Sequence, residues 1–168
     1  MTPEQRAAAV LDRHGAGIPV PVETILAAAG VAVGRNHDDS DLSGFACRHG
    51  SRRIVGINTR TSPRRQRFAL AHAFGHLLLH ESDLVVCHSI RLNLPVYGAR
   101  ATDGQESVAD RFAGALLMPR DLLVEALAVA IDDAHDSRDA LIGALARRFE
   151  VSAEAMGWRL ISLNLTMA

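Results

Sequence analysis

Arg67-Phe68-Ala69-Leu70-Ala71-His72-Ala73-Phe74-Gly75-His76-Leu77-Leu78-Leu79-His80 is the stretch on which the reading of this chain turns. Its apolar positions, Phe68, Leu70, Ala71, Phe74, Leu77 and Leu78, recur with a helical period. Ser62 and Pro63 stand upstream as an N-cap and a first-turn proline, so a long helix is expected to open there and to carry the histidines in its second half. On one face of such a helix His72 and His76 have β-carbons ~5–6 Å apart, the spacing at which two imidazoles reach a single ion. The pair is the first candidate for a metal site.

The chain around this helix has 168 residues, for which one domain is the default. Folding a chain of this size buries about 70% of the unfolded surface, enough for a core without staples. Apolar residues make up 48% and aromatics only 4%, so the core is expected to be mostly Ala, Leu, Val and Ile. A formal net charge of −1 and a pI near 6.7 argue against general nucleic-acid binding, which relies on a basic surface. Arginines do cluster locally, at Arg64, Arg65 and Arg67, as contacts for an acidic substrate or as a solvated helix face. Cys47 and Cys87 do not imply a disulfide framework. Met1 to Ala16 has no signal pattern, and no apolar run reaches the ~18 residues of a membrane span, so a cytoplasmic location is expected.

Other elements follow from punctuation and period. Pro3 to His14 reads as an amphipathic helix capped by Thr2, and Val22 to Ala29 as a second helix ended by Gly30. Val31 to Val33 reads as a short strand. Gly44 to Arg48 and Arg53 to Asn58 read as a hairpin turning at His49-Gly50-Ser51, giving a sheet of two or three strands. Val85 to Leu94 has mixed signals, and Pro95 to Gly104 reads as a loop. Helices are expected over Ser107–Met118, Asp121–Ile131, Arg138–Phe149 and Ser152–Leu163.

The helix motif with this histidine spacing is H-E-x-x-H, in which the histidines hold zinc and the Glu is the general base. Here the Glu position is Ala73. A catalytic zinc takes a third protein ligand and keeps one position open. His80 lies one turn further on, but three successive i+4 residues on a straight helix do not usually converge on one ion. The pattern H-E-x-x-H-x-x-G-x-x-H would need Gly at 79 and His at 82, where the chain has Leu79 and Ser82. The remaining candidate is a carboxylate on a later helix. Glu106 opens the run Glu106-Ser107-Val108-Ala109-Asp110-Arg111-Phe112-Ala113, and Asp110 lies one turn along the same face. Asp110 is placed to fix a histidine tautomer, the alternative being a solvated helix-face carboxylate.

These two blocks resemble a known family. Residues 67–80 are similar to the R-F-T-L-A-H-E-L-G-H-L-L-L-H block of the ImmA/IrrE metallo-endopeptidases, and Glu106 to Pro119 resembles their second block, E-x-x-A-N-x-F-A-x-x-L-L-M-P. Ser43-Gly44-Phe45 and Ile57-Asn58 are similar to the family's hairpin and pre-helix strand, and the resemblance covers roughly residues 20 to 163. It implies an α+β fold of minigluzincin type, with a small, mainly antiparallel sheet against the zinc-site helix and a helical C-terminal part. The expected division is a metallopeptidase core over 1–120 and a helical subdomain over 121–168 packed on it. The resemblance also implies Zn2+ held by His72, His76 and Glu106, and cleavage of a helix-turn-helix (XRE-like) transcriptional repressor, with no direct nucleic-acid partner and no membrane. The chain departs from the pattern at Asp110, where the family has Asn, and at Ala73, where it has Glu.

A positioned general base contributes ~10²–10⁴-fold in rate. Its loss leaves the metal ligands intact, so a metal-competent, catalytically crippled site is expected. Either an engineered Glu→Ala change or a natural pseudoenzyme fits, and the alternative function is a non-catalytic or toxin–antitoxin regulatory protein that binds a helix-turn-helix partner. His80, His88 and Tyr97 are the candidates for stabilising an oxyanion. The hairpin edge at Gly44 to Cys47 is a candidate for β-addition of a peptide, or an ordinary protected edge. Cys87-His88 is a candidate second metal site, or a core residue beside a surface one. Leu145 to Met156 looks like the first half of a helix-turn-helix, but Met156, Trp158, Leu160, Ile161 and Leu163 are too apolar to face a groove. That pair is expected to pack on the core instead.

Overall fold

The computed structural model describes residues 1–36, 42–88, 102–132 and 137–165. Thr2 opens α1 (Pro3–His14) with a capping box in which Thr2 and Gln5 satisfy each other's backbone N–H. The helix α2 (Val22–Ala28) leads through Gly30, at φ 71°, into β1 (Val31–Asn36). The expected hairpin forms from β2 (Leu42–His49) and β3 (Arg52–Asn58), antiparallel from Gly44↔Ile57 to His49↔Arg52.

The sheet is wider than the hairpin pattern predicts. β4 (Leu84–His88) pairs antiparallel with β2, and β1 runs parallel to β3, giving the order β1-β3-β2-β4. The architecture is α+β with a mostly antiparallel sheet. β2 is therefore an interior strand, and Gly44 to Cys47 is hydrogen-bonded on both sides. The peptide-accepting edge expected there is thus corrected: among the described strands the edges are β1 and β4. The run Leu84-Val85-Val86-Cys87 is short and uninterruptedly apolar, so no period marks it as a strand.

Ser62 and Pro63 start α3 (Pro63–Leu79) as N-cap and first residue, and the helix crosses the sheet against β2 and β3. Leu70, Ala71, Phe74 and Leu77 are buried there. The guanidinium of Arg48 on β2 donates to the Leu77 carbonyl, one of those a helix C-terminus leaves without an internal partner, and to the Ser82 carbonyl at 3.0 Å. The register of the C-terminal half of α3 is thereby tied to the sheet.

α4 (Asp103–Leu117) lies along α3. It starts before the expected Ser107, because Thr102 and Gln105 form a capping box that Gly104 disguised as loop. Gly75 marks the closest approach of the two helices: a Cβ there would stand 3.0 Å from Phe112 Cδ1 and 3.4 Å from Ala109 Cα. Phe112 packs edge-to-face on Phe74, with ring centroids 5.9 Å apart, and each fully buried ring contributes ~1.5–3 kcal/mol. Another face of α4 meets α1, where Ala7 and Leu11 are buried and Arg111 pairs with Glu4 through contacts of 2.9 and 3.1 Å.

The chain continues through α5 (Arg120–Asp132), α6 (Arg138–Phe149) and α7 (Ala153–Ser162), with Ser137 and Ser152 capping the last two. Met156 and Leu160 face the core, and Arg159 donates to the Met118 carbonyl at 3.1 Å, docking α7 on the end of α4. Trp158 and Ile161 stay exposed. Among the described residues no helix is long and apolar enough to cross a membrane.

Candidate metal centre

The capped, proline-started α3 keeps a regular turn through its second half, so His72 and His76 stack one turn apart with their Nε2 atoms 3.0 Å from each other. From α4, Glu106 brings Oε2 to 3.2 Å from His72 Nε2 and Oε1 to 3.5 Å from His76 Nε2. Donor atoms bonded at about 2.0–2.1 Å to a tetrahedral centre stand ~3.3 Å apart. Each separation is near that edge length, with a different carboxylate oxygen facing each nitrogen, so Glu106 spans the imidazole pair.

The outer ring nitrogens are held as well. His72 Nδ1 lies 2.9 Å from Asp110 Oδ1, one turn beyond Glu106 on α4. His76 Nδ1 lies 3.1 Å from His80 Nδ1. A carboxylate at Nδ1 fixes the proton there, so His72 donates to Asp110, and Nε2 is the atom that would give up a proton and face a metal. For His76 to do the same, its Nδ1–H donates to His80, which must be neutral. Burial pushes the His80 pKa down, favouring that form.

The structure adds a residue at the same point. Cys87 on β4 is buried, and its sulfur and the histidine nitrogens lie within 4.8 Å of one another. Val85 and Cys87 share the buried face of β4, as period-two alternation requires. Ser43 Oγ donates to the Cys87 carbonyl at 3.2 Å. Cys87 of the Cys87-His88 pair thus lies beside the histidine pair, while the side chain of His88 falls outside the described residues. A thiol followed by histidine was the available signal, but the turn of chain that brings β4 to α3 leaves no trace in local sequence.

The electrostatics couple these groups. Burial alone would lower the His72 pKa, but hydrogen bonds with Asp110, Cys87 and Glu106 outweigh it and raise it well above the ordinary imidazole value. His76 is raised on balance by Cys87 and Glu106, against burial. Burial would raise Glu106, yet its hydrogen bonds with His72 and His76 hold it far below the usual carboxylate range. Cys87 is shifted down by the two histidines against its own burial.

The other expected site positions separate. Ala73 is fully buried on α3 beside the pair and offers no polar group. His80 meets the outer nitrogen of His76, where it supports that ring without facing the inner space. Tyr97 lies outside the described residues, as does the side chain of His88. Arg67 turns inward, donating to the Val20 carbonyl at 2.9 Å with Nε 3.6 Å from Glu150. Arg64 and Arg65 remain exposed and line, with Phe68, His72, Cys87 and Glu106, a cleft that leads to the centre.

The family model of the IrrE N-terminal-like domain, peptidase family M78, matches residues 27–160. The chain belongs to this family. The radiation response metalloprotease IrrE of Deinococcus radiodurans is 32% identical over 103 residues, 61% of this chain and 29% of that protein. The chain thus spans less than a third of the length of the relative it matches. Family membership makes this a metallopeptidase-type protein, and the buried histidine–cysteine cluster is a candidate for its metal ion.

Proposed function

We propose that the chain is a zinc-binding, metallo-endopeptidase-type protein that engages a helix-turn-helix repressor and lacks the base needed to cleave it efficiently. The observation that carries this reading is the convergence of His72 Nε2, His76 Nε2 and the Glu106 carboxylate at tetrahedral edge lengths, beside an Ala73 that offers no base. His72, His76 and Glu106 are the ligands in this reading, with Asp110 and His80 holding the imidazoles. When bound, zinc supplies Lewis-acid polarisation of a peptide carbonyl and acidifies water. The chain's own residues orient the ligands and exclude bulk solvent, but at position 73 nothing accepts a proton. A missing base lowers the rate by ~10²–10⁴-fold and leaves binding in place. In the same reading residues 1–120 form the peptidase core and 121–168 a helical subdomain, the protein acts in the cytoplasm, and it contacts neither nucleic acid nor membrane.

Metal analysis of the zinc-loaded protein tests the first part. One zinc per chain, lost in His72→Ala, supports the reading, and a metal-free protein after loading overturns it. Cleavage of a co-encoded repressor by Ala73→Glu, assayed with Cys87 intact and as Cys87→Ser, tests the second. Tight repressor binding that persists without zinc, with no cleavage by either variant, would leave only the capture of a partner.

A further inference from the structure

We infer that Cys87 is the fourth donor of this centre, so that the ion is enclosed by His72, His76, Glu106 and Cys87 instead of keeping a position open to water. The inference rests on the metal-binding reading above and specifies what kind of site it is.

Position is the first ground. Cys87 is 4% exposed and its neighbour Val85 is 3% exposed, so the thiol belongs to the sheet face that meets α3. Its sulfur is within 4.8 Å of both histidine donor nitrogens. Around a tetrahedral zinc, with sulfur at about 2.3 Å and nitrogen at about 2.0–2.1 Å, that separation is ~3.5 Å. Each sulfur–nitrogen separation thus exceeds the bonded one by at most ~1.3 Å. The pairing of Cys87 with Gly44 and the Ser43 hydrogen bond fix the backbone from which it reaches.

Charge is the second ground. Two neutral imidazoles and one carboxylate leave a divalent ion with a net charge of +1, in a pocket where His76 is 1% exposed. An unbalanced buried charge is costly. Counted over the direct donors alone, a thiolate brings the ion and its ligands to neutrality; the Asp110 carboxylate at His72 Nδ1 lies outside that count and is half exposed, so solvent screens its charge. On binding, the Cys87 thiol loses its proton to solvent, a metal–sulfur bond forms, and one water leaves the metal. The donor set, two imidazoles with a thiolate and a carboxylate, suits zinc.

Closure gives Ala73 a second meaning. Hydrolysis at such a site needs a base and an open coordination position. This chain has neither while Cys87 is bound. The metal then fastens α3, α4 and β4 together, and the cleft beside it is left for binding.

Cobalt(II) loading of the intact 168-residue chain tests this directly. An intense near-ultraviolet sulfur-to-cobalt charge-transfer band together with strong tetrahedral visible bands is expected. Cys87→Ser should keep one cobalt per chain, lose the near-ultraviolet band and weaken the visible ones. Its zinc affinity, by chelator competition, should fall at least as far as the ~10–100-fold typical of losing a supporting residue. X-ray absorption of the zinc form gives a readout that needs no variant, one sulfur scatterer at about 2.3 Å among nitrogen and oxygen ligands. Metal bound without any sulfur signature, or a Cys87→Ser spectrum identical to the parent, overturns the assignment and leaves the metal site standing. No metal bound at all removes both.

Discussion

Gly75→Ala is the most discriminating perturbation of the scaffold. The added Cβ would stand 3.0 and 3.3 Å from Phe112 Cδ1 and Cγ, and 3.4 Å from Ala109 Cα. Ordinary carbon contacts are about 3.5–4.0 Å, so α3 and α4 must separate by ~0.5–1 Å unless the ring yields. Phe112 is fully buried and held edge-to-face on Phe74, so it has little room to yield. Two effects oppose each other. Alanine gains ~1 kcal/mol of helix propensity over glycine. Overpacking a core costs ~1–3 kcal/mol. The net expectation is a loss near 1 kcal/mol, or ~2–4 °C in Tm for a domain of this size. Ala109 lies three residues after Glu106, so the same separation draws the Glu106 carboxylate away from the imidazoles. A zinc affinity about tenfold weaker, ~1.4 kcal/mol, is expected. Thermal unfolding of the metal-free protein and chelator competition measure the two quantities. A Tm raised by the propensity gain, with zinc affinity unchanged, would show that the α3–α4 spacing does not set the centre.

Other expectations concern neighbouring groups. Asp110→Ala should weaken zinc binding ~10–100-fold while Tm of the metal-free protein stays within a few degrees, whereas Asp110→Asn, which keeps a hydrogen-bond acceptor at His72 Nδ1, should lose less; equal losses would argue against the tautomer role. Gly56→Val places side-chain atoms where the Phe45 ring lies across β3, and a destabilisation of ~1–3 kcal/mol is expected in denaturant unfolding, a neutral result showing that the ring moves aside freely. The His72 pKa is raised on folding, so its stabilisation of the metal-free protein is full below the unfolded value of about 6.5 and is lost as pH rises through the raised folded value. Zinc needs neutral imidazoles and binds more tightly as protons leave. The Tm gap between zinc-loaded and metal-free protein should therefore widen from pH 6 to pH 8, and calorimetry in buffers of different ionisation enthalpy should register proton release; a constant gap would contradict both signs.

Local chemistry made α3 readable from sequence. A serine cap, a first-turn proline and a sustained apolar period agree along Ser62 to Leu79, and the histidine spacing follows from the turn of a helix. Glu106 and Asp110 were legible for the same reason, both falling on one face of a second periodic segment. Cys87 was seen as a residue and missed as a neighbour of the histidines, because its place depends on β4 pairing with β2 across an intervening helix. The same long-range pairing turned the apparent edge at Gly44 to Cys47 into an interior strand. The start of α4 was obscured by Gly104, whose low helix propensity is outweighed by the capping box on either side of it.

The family match begins at residue 27, yet α1 covers α4, the helix that carries Glu106. Ala7 is fully buried, and Glu4 clasps Arg111 only five residues beyond Glu106. The unit defined by descent and the unit that holds its shape therefore differ. A fragment cut at residue 27 would expose the apolar flank of α4 to water while retaining every candidate donor. Conversely, a partner that peels the first helix away would loosen the glutamate arm. The N-terminal helix is thus a handle on the centre, acting through α4 and reaching the cleft itself at Glu4.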